Sequence, residues 1–125
     1  MHASWEDFQK LDIRVGRIVS VEDFPDVRIY AYRITVDFGG TVGTRRSFAA
    51  ATNYEKVELL EKQVLCVMNF PPERIANTVS EVLILGVRTS NRGTALLVPD
   101  FEAIDGAPIS EYHDGKMPLR KRAGL

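Results

Sequence analysis

The stretch NFPPERIANTVSEVLILG, residues 69–86, sets Asn69, Arg74 and Ser80 around one proline turn between two apolar runs. The turn itself requires only the prolines. Asn69 and Ser80 each carry donors and acceptors suited to a base edge or a peptide amide. Arg74 can hold a phosphate or a carboxylate through paired N–H groups. Short polar side chains also satisfy a turn's own backbone groups. Residue type alone therefore leaves ligand binding and turn building both open. Phe70, Pro71, Pro72, Ile75 and Val79 ring the same turn and could line an apolar pocket, or simply pack the loop.

Catalytic combinations are lacking. Ser47 and Ser80 have no histidine near them in the sequence, and G-x-S-x-G is absent. Neither G-x-x-x-x-G-K-[ST] nor G-x-G-x-x-G occurs. The pairs Glu22–Asp23 and Glu58–Glu61 read as solvated strand-end and helix-face charges. His2 and His113 lie near opposite ends without cysteine or carboxylate spacing, so no metal site and no cofactor are predicted. Cys66, the one cysteine, sits inside VLCVMNF and is expected to be a small core residue. These absences point to a binding protein and away from an enzyme.

A second set of residues suits a polyanion. Arginine outnumbers lysine 11 to 5, and arginine makes the better bidentate phosphate contact. Arg28, Arg33, Arg45, Arg46, Arg74 and Arg88 are the candidate cations, with Tyr30, Tyr32, Phe48 and Phe70 as candidate stacking platforms. Strand aromatics are more often core, and strand arginines more often solvated edge, so each also has a plain structural reading. The net charge is −1, which argues against a surface coated in positive charge. From Glu111 onward the balance is +2, leaving −3 on residues 1–110.

The elements that must position these residues follow from period and turn chemistry. The 125 residues favour a single domain, 1–125, with residues 1–11 and 101–125 as terminal extensions. No apolar run is long enough to span a membrane. MHASWEDFQK has no signal-peptide pattern, and a cytoplasmic location is expected. Ser4 is placed to cap a short helical turn, with Asp7 three residues on and Trp5 and Phe8 on one face. DIRVGRIVSVEDF alternates as a long strand, with Gly16 marking a bulge or a close approach. IYAYRITVDF is a second strand, with Tyr30, Tyr32, Ile34 and Val36 on one parity, and Gly39–Gly40 turns the chain. GTRRSFAAA is a third strand. YEKVELLEK shifts to a short helix using Val57 and Leu60. VLCVMNF and SEVLILGVRT read as strands, and Asn91-Arg92-Gly93 turns into the last strand, TALLVPD. Strand-strand-strand-helix-strand-strand is the order of an all-β OB-fold, a five-stranded Greek-key barrel with a short helix between strands 3 and 4.

On this footing the chain resembles a known family. DIRVG at 12–16, VDFGG at 36–40, NFPP at 69–72, SEVLILG at 80–86 and LLVPD at 96–100 are similar to the CsaA family. Those small bacterial and archaeal proteins are described as protein-export chaperones. They belong to a wider tRNA-binding OB domain family that includes the C-terminal domain of many methionyl-tRNA synthetases. The resemblance covers roughly residues 6 to 110. It implies a homodimer built on the terminal extensions, with Trp5, Phe8, Met117 and Leu119 as interface candidates. It also places Asn69, Arg74 and Ser80 on the ligand-binding surface. The chain departs from the tRNA-binding branch at Glu81-Val82, where Gly-Met is usual, and at FAAAT (48–52), which lacks a glutamine. Asn77 stands where glycine is common.

Two functions follow as expectations. The first is a CsaA-like chaperone that binds unfolded or precursor polypeptides in protein export, with tRNA as a further ligand. The second is a structure-specific tRNA-binding protein acting with or alongside an aminoacyl-tRNA synthetase.

Overall fold

The computed structural model describes residues 1–26 and 28–110. Met117 and Leu119, expected at a dimer interface, lie outside the described residues. Helix α1 (Trp5–Gln9) leads into β1 (Ile13–Asp23), β2 (Tyr32–Asp37) and β3 (Thr44–Ala49). One turn of helix, α2 (Lys56–Leu59), precedes β4 (Gln63–Val67). The rest of the described chain holds β5 (Glu73–Ile75), β6 (Thr78–Ser80), β7 (Leu83–Ile84), β8 (Gly86–Arg88) and β9 (Thr94–Leu96). Among the described residues no helix is long and apolar enough to cross a membrane.

Five strands form one antiparallel sheet in the order β3-β2-β1-β4-β7, with β5-β6 and β8-β9 as separate hairpins. β1 is long enough to serve two partners: its second half pairs with β2 and its first half with β4. The sheet curls until β3 meets the segment between β6 and β7, where Glu81 N–H donates to the Arg46 carbonyl at 2.7 Å. The result is a nearly closed OB-type barrel, as the element order predicts. Its core is Ile18, Ile34, Val36, Phe38, Ala51, Leu59, Val64, Cys66, Val82 and Leu96. Each sheet strand sends alternate residues inward, so Ile34 and Val36 are buried while Arg33 and Thr35 remain on the outer face.

Three local expectations are corrected, and one left open at Gly16 between a bulge and a close approach is resolved. The long strand does carry a bulge, but the register jumps between Ile18 and Ser20, not at Gly16. Gly16 marks a close approach instead: a Cβ there would meet the Phe38 ring at 2.6 Å and also strike Val36. Tyr30 precedes β2 and is 83% exposed, because Pro25 and the following turn delay pairing until Tyr32. In α2 it is Leu59 that is buried, while Val57 and Leu60 are exposed, since a single turn offers the core one side chain. SEVLILGVRT divides among β6, β7 and β8, because its backbone serves three partners in turn. Glu81 N–H goes to Arg46, Leu85 N–H to the Leu65 carbonyl at 3.0 Å, and Gly86–Arg88 to β9.

The aperiodic stretch after Pro99 is a strap beside β1. Gly106 N–H donates to the Val15 carbonyl at 2.7 Å, Val15 N–H to the Ala107 carbonyl at 3.0 Å, and Ile109 N–H to the Ile13 carbonyl at 2.8 Å. Side chains fasten it further. Arg17 reaches Asp105 at 3.2 Å and also pairs with Glu102. Gln63 Nε2 donates to the Ala103 carbonyl at 2.8 Å, and its Oε1 accepts the Ala103 N–H at 2.8 Å. Gly106 has a φ of +89° and lies against the Phe38 carbonyl, so a side chain there would displace the strap.

Candidate functional site

The outer face of β2 and β3 is built by alternation. Cross-strand neighbours in an antiparallel pair share a face. Arg33 stands opposite Phe48 and Thr35 opposite Arg46, so these four side chains occupy the outside of the barrel. Two loops border this face. The β1–β2 loop carries Arg28 and Tyr30, and the β4–β7 loop carries the proline turn and the β5-β6 hairpin. Arg74 pairs with Val79 across that hairpin and therefore shares its face. Val79 lines a shallow groove of about 150 Å³ with Thr35, Thr44, Arg45, Arg46 and Glu81. Arg74 thus stands beside Val79, which lines the groove with Arg46, but does not itself line it.

The predicted arginines differ in what already occupies them. Arg28 is tied to Asp26 through Nε at 3.0 Å and Nη2 at 2.8 Å, and the contact holds its pKa above the ordinary value. Arg33 Nη2 donates to Glu22 at 3.1 Å, while its Nε is buried with no acceptor among the described residues. Arg45 lies on the inner parity at the barrel end, and its Nη1 serves the Val42 and Thr44 carbonyls at 2.5 and 2.9 Å. Arg46, Arg74 and Arg88 are exposed, and no side-chain partner holds their guanidinium groups among the described residues. The sequence offered six equal cations; the fold leaves three of them uncommitted.

The other polar candidates build structure. Asn69 Oδ1 accepts the Asp12 N–H at 2.9 Å and its Nδ2 donates to the Lys10 carbonyl at 2.7 Å. It pins the N-terminal segment to the start of the proline turn. Ser80 Oγ donates to the Val82 carbonyl at 3.1 Å and lies 3.4 Å from Ser47 Oγ. Neither residue is sealed off, since Asn69 is exposed and Ser80 half-buried, and an amide retains capacity beyond two bonds.

The aromatic platforms also separate. Tyr32 Oη donates to the Tyr54 carbonyl at 2.8 Å, and Phe48 packs edge-to-face on Phe24 at 5.7 Å. Tyr30 and Phe70 remain open, Phe70 at 49% exposure. Of the apolar ring, Phe70 and Pro71 join Leu83, Val82, Glu73, Ser80 and Glu81 around a hollow of about 70 Å³. Pro72 and Ile75 do not line it, and Val79 faces the arginine groove instead. Trp5 and Phe8 stack with centroids 5.3 Å apart, and Trp5 is exposed.

Glu81, which the sequence marks only as a departure from the tRNA-binding branch, joins the candidate residues. Its Oε1 accepts the Arg46 N–H at 2.9 Å, and it borders both the arginine groove and the apolar hollow. A lone acidic residue in an otherwise apolar strand pattern was the available signal.

Comparison with known proteins agrees with this architecture. Residues 13–108 match the family described as "Putative tRNA binding domain". The crystal structure of a CsaA chaperone protein from Picrophilus torridus has a TM-score of 0.81 and 44% identity, covering 87% of this chain and 100% of that one. A CsaA chaperone from Bacillus anthracis has a TM-score of 0.80 and 38% identity, covering 88% and 100% respectively. A methionine–tRNA ligase of Pyrococcus furiosus is 34% identical over 110 residues, covering 86% of this chain but 14% of the ligase. The chain thus spans about a seventh of the length of the curated relatives it matches. With the matched region running from the start of β1 to the strap, the chain belongs to the tRNA-binding domain family, in the company of the CsaA proteins.

Proposed function

We propose that this protein binds RNA, with tRNA as the ligand class, over the outer face of β2 and β3 and the two loops that border it. The observation that carries this reading is the uncommitted pair Arg46 and Arg74, both exposed, with Arg46 lining the groove and Arg74 paired across the hairpin with Val79, which lines it too. OB barrels bind oligonucleotides on this face by combining cations with open aromatic rings. Here Tyr30 and Phe70 are the open rings, one on each bordering loop. Asn69 and Ser80 act mainly by fixing the turn that presents Arg74, with spare hydrogen-bonding capacity toward a base.

A second reading is favoured by the hollow between Phe70, Pro71 and Leu83. An exposed Phe beside an exposed Leu suits an apolar side chain of an extended polypeptide. The CsaA relatives are named as chaperones, and the chain covers them in full. Under this reading the client is an unfolded or precursor polypeptide, and a homodimer through Trp5 and Phe8 would present two such hollows.

Fluorescence-anisotropy titrations with tRNA and with a reduced, alkylated polypeptide separate the two. The RNA reading expects tRNA affinity that falls with salt, and a weaker hold in Arg74→Ala. Polypeptide binding lost in Phe70→Ala, with no tRNA binding at low salt, would favour the second reading instead.

A further inference from the structure

Glu81 occupies an unusual position at the rim of the groove. Its backbone N–H donates to the Arg46 carbonyl at 2.7 Å, while its side-chain Oε1 accepts the Arg46 N–H at 2.9 Å. The carboxylate thereby replaces the strand carbonyl that a regular ladder would offer β3 at this point. Swinging away would give up this bond and leave the Arg46 N–H to water. The anchor is a neutral backbone group. Among the described residues no lysine or arginine is ion-paired with Glu81. A negative charge is therefore held, in no direct ion pair, in a groove lined also by Thr35, Thr44, Arg45, Arg46 and Val79.

A phosphate approaching the Arg46 guanidinium meets this charge in the same groove. Repulsion between like charges within one groove is only partly screened at low salt. A ligand held by phosphate contacts alone has nothing to offset the loss. A folded RNA can still engage Arg74, Tyr30 and Phe70 on the bordering loops.

We propose that Glu81 is a selectivity residue: it denies the arginine groove to unspecific polyanions and leaves it to an RNA that also engages the bordering loops. The proposal rests on the RNA-binding reading above. Glu81→Gln is the informative variant, because its amide oxygen can still accept the Arg46 N–H while the charge is gone. Inorganic polyphosphate serves as the unspecific polyanion and tRNA as the structured ligand, each titrated into the full-length protein, with circular dichroism to check folding.

The expected result is that Glu81→Gln binds polyphosphate about three- to tenfold more tightly at low salt. Its tRNA affinity rises less, so the ratio between the two ligands narrows. Unchanged polyphosphate affinity in a folded Glu81→Gln, or an unchanged ratio, overturns the proposal. Thr44→Glu, which leaves Glu81 in place and adds a carboxylate at an exposed position in the same groove, gives a reading even if Glu81→Gln misfolds. It is expected to weaken polyphosphate more than tRNA, and equal weakening of both would count against the proposal. If neither wild type nor variant binds tRNA, the RNA reading fails; a gain in polyphosphate affinity in that same experiment still upholds the charge barrier at Glu81.

Discussion

The side chain of Asn69 clamps the backbone of Asp12, accepting its N–H at 2.9 Å, and holds the Lys10 carbonyl at 2.7 Å with the other end of the same amide. Asn69 and Asp12 are 57 positions apart in the chain. The bond joins the N-terminal segment to the turn that carries Arg74. Asn69→Ala removes both hydrogen bonds and is expected to cost about 1–2 kcal/mol in urea unfolding, with an unchanged m-value. A loss below about 0.5 kcal/mol would show that water replaces the clamp at no cost.

The hairpin that presents Arg74 turns through Ala76 and Asn77, with φ of 47° and 67°. Two successive left-handed residues form a turn that suits Asn-Gly and penalises alanine. Asn77 is well chosen, because asparagine tolerates the left-handed region; Ala76 is not. Ala76→Gly should relieve the strain and raise stability by about 1 kcal/mol. A fall in the urea midpoint would mean that the alanine methyl has a packing role that outweighs its backbone cost.

Ser4 and Asp7 form a reciprocal cap on α1, with Asp7 N–H donating to Ser4 Oγ and Ser4 N–H to Asp7 Oδ2, both at 3.0 Å. The Ser4 backbone N–H, and then its hydroxyl, hold the Asp7 carboxyl below its ordinary pKa. A depressed folded pKa means that the cap contributes fully above the unfolded value, near pH 4, and is lost as the pH falls through the folded value. Trp5 is the one tryptophan and lies in this helix. Its fluorescence should therefore shift below about pH 4. In Ser4→Ala that acid step should be absent or smaller. An identical acid transition in both proteins would refute the assignment.

Cys66 is buried, and burial pushes its thiol up to about 12. The thiolate is the reactive form. Native protein at pH 8 should resist a thiol reagent, and guanidinium should release one thiol per chain. Rapid labelling of the native protein would indicate that β4 opens locally far below the cost of global unfolding.

How much of this was legible varies with the physics involved. Alternation exposed β1, β2 and β3, and with them the buried Ile34 and Val36, because period two is local information. The Ser4–Asp7 cap and the Gly39–Gly40 turn were legible for the same reason. The strap was not: Arg17, Gln63 and Gly106 act on partners 40 or more residues away, and no local pattern announces them. SEVLILGVRT read as one strand because composition cannot show that its backbone serves three different partners. In the candidate site, the sequence named the loop and the cations as residue types only. Only the fold could separate Arg46 and Arg74 from Arg28, Arg33 and Arg45, whose guanidinium groups are already engaged.

The central claim is that RNA docks on the β2–β3 face and the loops beside it. Amide chemical-shift mapping of the isotope-labelled protein with unlabelled tRNA tests it most directly. The account predicts a contiguous perturbed patch that includes Arg33, Thr35, Arg46, Phe48 and Arg74 and that fades as salt is raised. Perturbations confined to the strap around Val98, Phe101 and Ile104, with the β2–β3 face silent, would contradict it.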